Sequence, residues 1–112
     1  MITQSESPRY NAKTFQALYK TYRKIFGNEN VFCYLANTPT YPAGIWSFSY
    51  NAKGGNIHPL KNYDRNKVRE FTRKHNLKYY NEDIHPAAFA LPGYVKEMLG
   101  VEKSYWDEWL EK

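Results

Sequence analysis

Residues 30–51 read NVFCYLANTPTYPAGIWSFSYN. The run Asn30–Asn37 is apolar for most of its length and as long as a strand, the pattern of a strand covered on both faces. Ile45–Asn51 reads as a second strand, and Gly44 to Phe48 alternate in the strand manner. Pro39 and Pro42 stand between the two and donate no ladder hydrogen bond, so the first half of 38–48 is a turn and not sheet. Two strands joined by a short loop predict an antiparallel hairpin, Val31–Ala36 against Ile45–Tyr50, with Pro39–Gly44 as its turn. Alternation alone does not decide whether Trp46 is hairpin core or faces a pocket. A lone hairpin with so apolar a first strand needs neighbours on its edges and layers on its faces.

Those layers are legible on either side. Ile2–Ser5 reads as the end of a strand, and Pro8 breaks it. Phe15, Leu18, Tyr19, Tyr22, Ile25 and Phe26 then recur at helical spacing over 12–26, with Lys13, Lys20, Arg23 and Lys24 opposite. Gly27 and Asn28 stop the helix in the left-handed way. Residues 53–56 form a loop. Asp64 caps a second helix over 65–75, with Val68 and Phe71 inward. Leu77–Asn81 is a short extended piece, taken as a strand. Pro92 opens a third helix with Val95, Met98 and Leu99 inward and Gly100 as its stop. The amphipathic tail 105–110 closes as a short helix. The expected order is strand end, helix, strand, strand, helix, short strand, helix, in one α/β unit over 1–112. It reads as the second half of a larger domain.

Composition narrows the function. The chain is 18% aromatic, with 11 Tyr, 3 Trp and 6 Phe, so some rings are available to line a site as well as a core. Its net charge of +5 permits weak attraction to acidic surfaces, but the basic residues are scattered and only 61–78 approaches a cluster. Cys33 is the one cysteine, which excludes an internal disulfide. Lying between Phe32 and Tyr34, it reads as an inert buried thiol. His58, His75 and His85 are too dispersed for a metal site, and Gly54-Gly55 lacks the spacing of a dinucleotide loop. The start MITQSESPRY has no apolar signal region, and no stretch is long enough to span a membrane, so the expected location is cytoplasmic.

Four strings carry a resemblance. Gln4-Ser5-Glu6-Ser7-Pro8 ends the first strand. Pro39-Thr40-Tyr41-Pro42 leads to Trp46-Ser47-Phe48 in the hairpin. Leu77-Lys78-Tyr79-Tyr80-Asn81 precedes Ile84-His85-Pro86-Ala87-Ala88-Phe89-Ala90-Leu91-Pro92. In this order the chain, from residue 2 to about residue 100, resembles the C-terminal part of the spermidine synthases, the polyamine aminopropyltransferases. The resemblance implies the C-terminal half of a methyltransferase-like Rossmann domain. It implies transfer of an aminopropyl group from decarboxylated S-adenosylmethionine, as co-substrate, to a diamine such as putrescine. Tyr41 matches a tyrosine lining the amine pocket, Gln4 a glutamine facing the polyamine, and Trp46 a pocket aromatic of some members. Pro86 stands where the family has a basic residue.

The family's N-terminal β-domain, nucleoside-binding loop and Asp-rich gate loop have no counterpart here, so no catalytic residue is expected in this chain. The general base belongs to the missing half. The expected partners are the diamine and either further copies of the chain or a chain carrying the N-terminal part. Nucleic acid and membrane are not expected. A non-catalytic assembly module derived from the family is the alternative reading. A small basic nucleic-acid-binding protein is a weaker one.

Overall fold

Three strands form one sheet in the order β1 (Ile2–Gln4), β3 (Ile45–Asn51), β2 (Val31–Asn37). The computed structural model describes residues 1–37, 45–53, 58–101 and 104–110, the last three through their backbone alone. The hairpin forms as expected, in register from Val31 opposite Asn51 to Asn37 opposite Ile45. Its expected turn at 39–44 lies outside the described residues, as does most of the expected loop at 53–56. β1 also runs antiparallel to β3, with Ile2 opposite Tyr50 and Gln4 opposite Phe48. The two outer strands are therefore parallel to each other, and α1 (Ala12–Phe26) crosses between them.

The apolar run of β2 is covered on both sides. Val31 and Cys33 join Phe15, Tyr19, Tyr22, Val95 and Leu99 in a core beneath α1 and α4 (Gly93–Leu99). Phe32 points the other way, into a second core with Leu60, Phe89 and Tyr105. The outer edge of β2 is not left bare. The N–H of Leu35 donates to the Ala88 carbonyl at 3.0 Å, and that of Cys33 to the Tyr105 hydroxyl at 3.1 Å. Ala88 follows the short helix α3 (Ile84–Ala87), and Tyr105 opens α5 (Tyr105–Leu110).

Four readings of the sequence are corrected. Gly27 ends α1 at φ 93° and ψ 148°, outside the left-handed helical region expected of it. Ile25 is 56% exposed, although it belongs to the apolar stripe of α1. At roughly 100° per residue it stands about 70° from a stripe centred on Phe15 and Tyr22, at the edge of what a sheet can cover. Phe71 of α2 (Arg65–Lys74) is also exposed, because the helix turns Val68 and Thr72 inward instead. Asp64 caps this helix as expected, accepting from the N–H groups of Asn66 and Lys67 at 3.1 Å. Residues 77–81 form no strand. Tyr80 meets the His85 side chain rather than a sheet edge.

The two ends of the α1 stripe separate in stability. Phe15 is fully buried. Phe15→Ala is expected to cost about 3–5 kcal/mol, and Ile25→Ala to stay within about 0.5 kcal/mol. Urea unfolding of the two variants measures both, and equal losses would contradict this packing.

Candidate functional site

The sheet ends in a knot around Ser47. The N–H of Ser5 donates to the Ser47 carbonyl at 2.9 Å, and the N–H of Ser47 donates to the Glu6 carbonyl at 3.0 Å. Two residues of the outgoing chain thus face one of β3, the arrangement of a β-bulge, which bends a strand and re-aims a side chain. The Ser47 hydroxyl lies 2.7 Å from both the Ser5 and Glu6 carbonyl oxygens and shares its one hydrogen between them. Ser5 in turn meets the Tyr22 hydroxyl of α1 at 3.1 Å.

Glu6 pays for this arrangement with a φ of 71°, in the left-handed region that a residue with a Cβ rarely occupies. Such a conformation persists only where its surroundings impose it. Here three hydrogen bonds do so.

Side-chain faces follow from the register. Gln4 and Tyr34 both lie opposite Phe48, and Ala36 lies opposite Trp46. Cross-strand partners share a face, as do residues two apart on one strand. Gln4 and Trp46 therefore lie on one face at one end of the sheet, diagonal neighbours at about 7–8 Å between backbones. Gln4 is exposed and Trp46 half-buried. Tyr41 lies outside the described residues. The residues flanking its segment, Asn37 and Ile45, are cross-strand partners at this same end.

The same face carries a cavity of about 530 Å³ between the sheet residues Ile2, Tyr34, Ala36 and Tyr50 and residues 58–89, beginning beside Trp46 at its partner Ala36. Neither Gln4 nor Trp46 lines it. One wall is a chain of rings. The Tyr63 ring stacks on His85 at 4.3 Å with planes 3° apart. Nε2 of His85 meets the Pro59 carbonyl at 2.9 Å and Nδ1 meets the Tyr80 hydroxyl at 2.8 Å. A carbonyl only accepts, so Nε2 carries a hydrogen and donates to it, while Nδ1 and the Tyr80 hydroxyl share the second bond. Burial raises the Tyr34, Tyr63 and Tyr80 phenols above their ordinary range. The Tyr63 hydroxyl donates to the Glu82 carbonyl. Arg65 pairs with Asp83 at 2.6 Å and Arg69 with Glu82 at 3.2 Å, which pins α2 to this wall.

Known proteins share both this geometry and this sequence. Over 98 residues the chain is 44% identical to the polyamine aminopropyltransferase of Thermotoga neapolitana, covering 88% of this chain and 31% of that protein. It is 44% identical over 104 residues to the enzyme of the same name in Clostridioides difficile, covering 91% and 35% respectively. Spermidine synthase from Thermotoga maritima superposes with a TM-score of 0.77 at 41% identity, over 88% of this chain and 33% of that one. The chain is thus similar to the C-terminal third of the polyamine aminopropyltransferases. A spermidine synthase solved with the transition-state analogue AdoDATO gives a TM-score of 0.78. No family model matches the chain. The chain spans about a third of the length of the relatives it matches.

The fold is accordingly the C-terminal part of the Rossmann-like methyltransferase domain of that family. Among the described residues, no helix is long and apolar enough to cross a membrane. Of the three site residues expected from sequence, Gln4 and Trp46 come to one end of one face. Glu6 was not among them. Its signal, an acid following Gln4, is present in the sequence, but its left-handed backbone is not readable there, because Glu has no preference for that conformation.

Two measurements probe this region. Glu6→Gly relieves the cost of φ 71° and is expected to leave stability unchanged or raise it by up to about 1 kcal/mol. Glu6→Val is expected to lower it, as thermal melts would show. The second measurement uses pH. A hydrogen bond from its own N–H, and then Arg69, hold the Glu82 carboxyl below its ordinary range. A lowered folded-state value stabilises above the ordinary carboxylate pKa and loses that contribution as pH falls through the lowered one. Glu82→Gln should therefore show a shallower loss of stability than the parent between about pH 7 and about pH 3. Parallel urea midpoints across that range would contradict the pairing.

Proposed function

We propose that this chain forms the amine side of the pocket in a spermidine synthase-like aminopropyltransferase. The observation that carries this reading is the convergence of Gln4, Glu6 and Trp46 at the end of β1 and β3, beside the segment that holds Tyr41. In the reaction, a neutral amine nitrogen of the diamine attacks the propyl carbon bonded to the sulfonium of decarboxylated S-adenosylmethionine. The C–N bond forms, the C–S bond breaks, methylthioadenosine leaves, and the attacking nitrogen gives its proton to a base. The diamine's other end stays cationic and favours aromatic faces and a carboxylate. Trp46 and Tyr41 serve as the aromatic walls, Gln4 as an amide acceptor and Glu6 as the carboxylate. The nucleoside grip and the general base belong to the two thirds of the relatives that this chain does not span, supplied by a partner chain or by the rest of a longer polypeptide.

Orientation of two reactants is worth roughly 7–11 kcal/mol of a barrier, and this chain orients one of them. The chain alone is therefore expected to produce no methylthioadenosine from putrescine and decarboxylated S-adenosylmethionine. Mixed or co-expressed with the remaining part of a related enzyme, it is expected to restore turnover. Tyr41→Ala or Trp46→Ala should then raise the KM for putrescine at least tenfold while the KM for the sulfonium substrate changes little. Turnover by the chain alone, or equal effects on both substrates, would overturn the assignment.

A further inference from the structure

The cavity of about 530 Å³ adjoins the candidate amine site through Ala36, the cross-strand partner of Trp46, but Gln4, Glu6 and Trp46 do not line it, and the proposed reaction makes no use of it. Its volume falls within the range of small-molecule sites, on the order of 300–1,000 Å³. Its lining is aromatic to an unusual degree, including Tyr34, Tyr50, Tyr63, Tyr79, His85 and Phe89. Among the described residues that line it there is no aspartate, glutamate, lysine or arginine. The hydrogen bonds of His85 fix that ring at both nitrogens. His58 is an acceptor at Nδ1, taking the N–H groups of Leu60 and Lys61 at 3.1 and 3.2 Å.

This charge pattern selects the ligand. A diamine entering here would lose hydration without meeting a carboxylate, and an anion would meet no cation, each at a large cost. A neutral ring system loses little and gains offset or edge contacts with the surrounding rings. The wall is also built to stay open. Tyr63 is stacked flat on His85, and His85 is tied at both nitrogens, so neither ring is free to collapse inward. The Tyr34 ring is stacked on Phe48 at 5.4 Å. The hydroxyls of Tyr34 and Tyr50 bond to no described residue, which leaves polar handles at the rim of an apolar space.

We propose that this cavity is a second binding site, for a small neutral aromatic molecule of the size of an indole, a phenol or a nucleobase. It takes such a molecule by ring contacts with Tyr34, Tyr63 and Phe89 and by hydrogen bonds to the tyrosine hydroxyls.

The test is a titration of the whole chain with indole, with putrescine in a parallel arm, followed by amide NMR. Indole is expected to bind saturably with a Kd below about 1 mM, with shifts centred on Tyr34, Tyr50, Tyr63 and Ala88. Putrescine is expected to leave these resonances unmoved. Tyr34→Ala should weaken indole at least tenfold. Because that change also removes the stack on Phe48, Ala88→Leu provides a second variant. Ala88 lines the cavity and contributes to the edge of β2 through its carbonyl, which the substitution retains. Ala88→Leu should keep the native spectrum and abolish indole binding. The proposal is overturned by non-saturating indole shifts, by indole shifts elsewhere, or by equal binding of putrescine at these residues. It is also overturned by dilution-dependent shifts of the same residues without ligand, which would make the cavity a contact between copies of the chain.

Discussion

β3 is hydrogen-bonded along both edges, and every other element takes its place from it. A strand with two antiparallel neighbours sits at the centre of its sheet and cannot slip by one residue without turning both faces inside out. In β3 that cost is high, because its faces differ so much. Ser47, Ser49 and Asn51 are buried towards α1, while Trp46, Phe48 and Tyr50 stand on the other side. The small polar face lets α1 bring two tyrosines close to the sheet. The aromatic face supports the cavity and the candidate amine site.

The polar layer under α1 is more than filler. Tyr22 and Ser47 each reach Ser5, and Asn51 donates to Ser49 at 3.1 Å. Burial raises the Tyr19 phenol above its ordinary range and pushes the Cys33 thiol up to about 12. A thiol held protonated at neutral pH is neither nucleophile nor metal ligand. The inert role read for Cys33 from its apolar neighbours thus has a physical cause. The layer also joins the core to the site, because the serine that anchors α1's side of the sheet clamps Glu6 in its left-handed turn.

Legibility followed the locality of each cause. The hairpin, the cap at Asp64 and the helix 12–26 rest on period, turn residues and short-range hydrogen bonds, all within a few positions of sequence. Gly100 ends α4 with φ 68° and ψ 30°, a local rule obeyed. Ile25 and Phe71 failed because a helix stripe is wider than the surface that meets it, and only packing says which edge loses. Tyr79 and Tyr80 have the β propensity that made 77–81 look like a strand. Tyr80 instead spends its hydroxyl on His85, five residues on. The candidate site divides in the same way. Gln4 and Trp46 were reached through resemblance, and their shared face then followed from register. The conformation of Glu6 is imposed by Ser47, 41 positions away, and no local pattern announces it.

A chain of net charge +5 is a poor match for a polycation until its acids are followed individually. Asp64 is occupied as a helix cap, Asp83 by Arg65 and Glu82 by Arg69. Net charge is thus a poor guide to the potential at one end of one sheet, where screening over about 8–10 Å makes near groups dominate. At that end Glu6, held at φ 71°, is the acid that follows Gln4. A diamine must keep one charge for binding and give up the other for attack. One carboxylate at this end suits the first requirement, and a second from outside this chain suits the other. Separating the two in space also separates their tasks: a base must be poised to take a proton, whereas a binding carboxylate must stay ionised. On the proposed reading, the division of the pocket between this chain and the rest of the relatives' length coincides with a division between holding the amine and activating it.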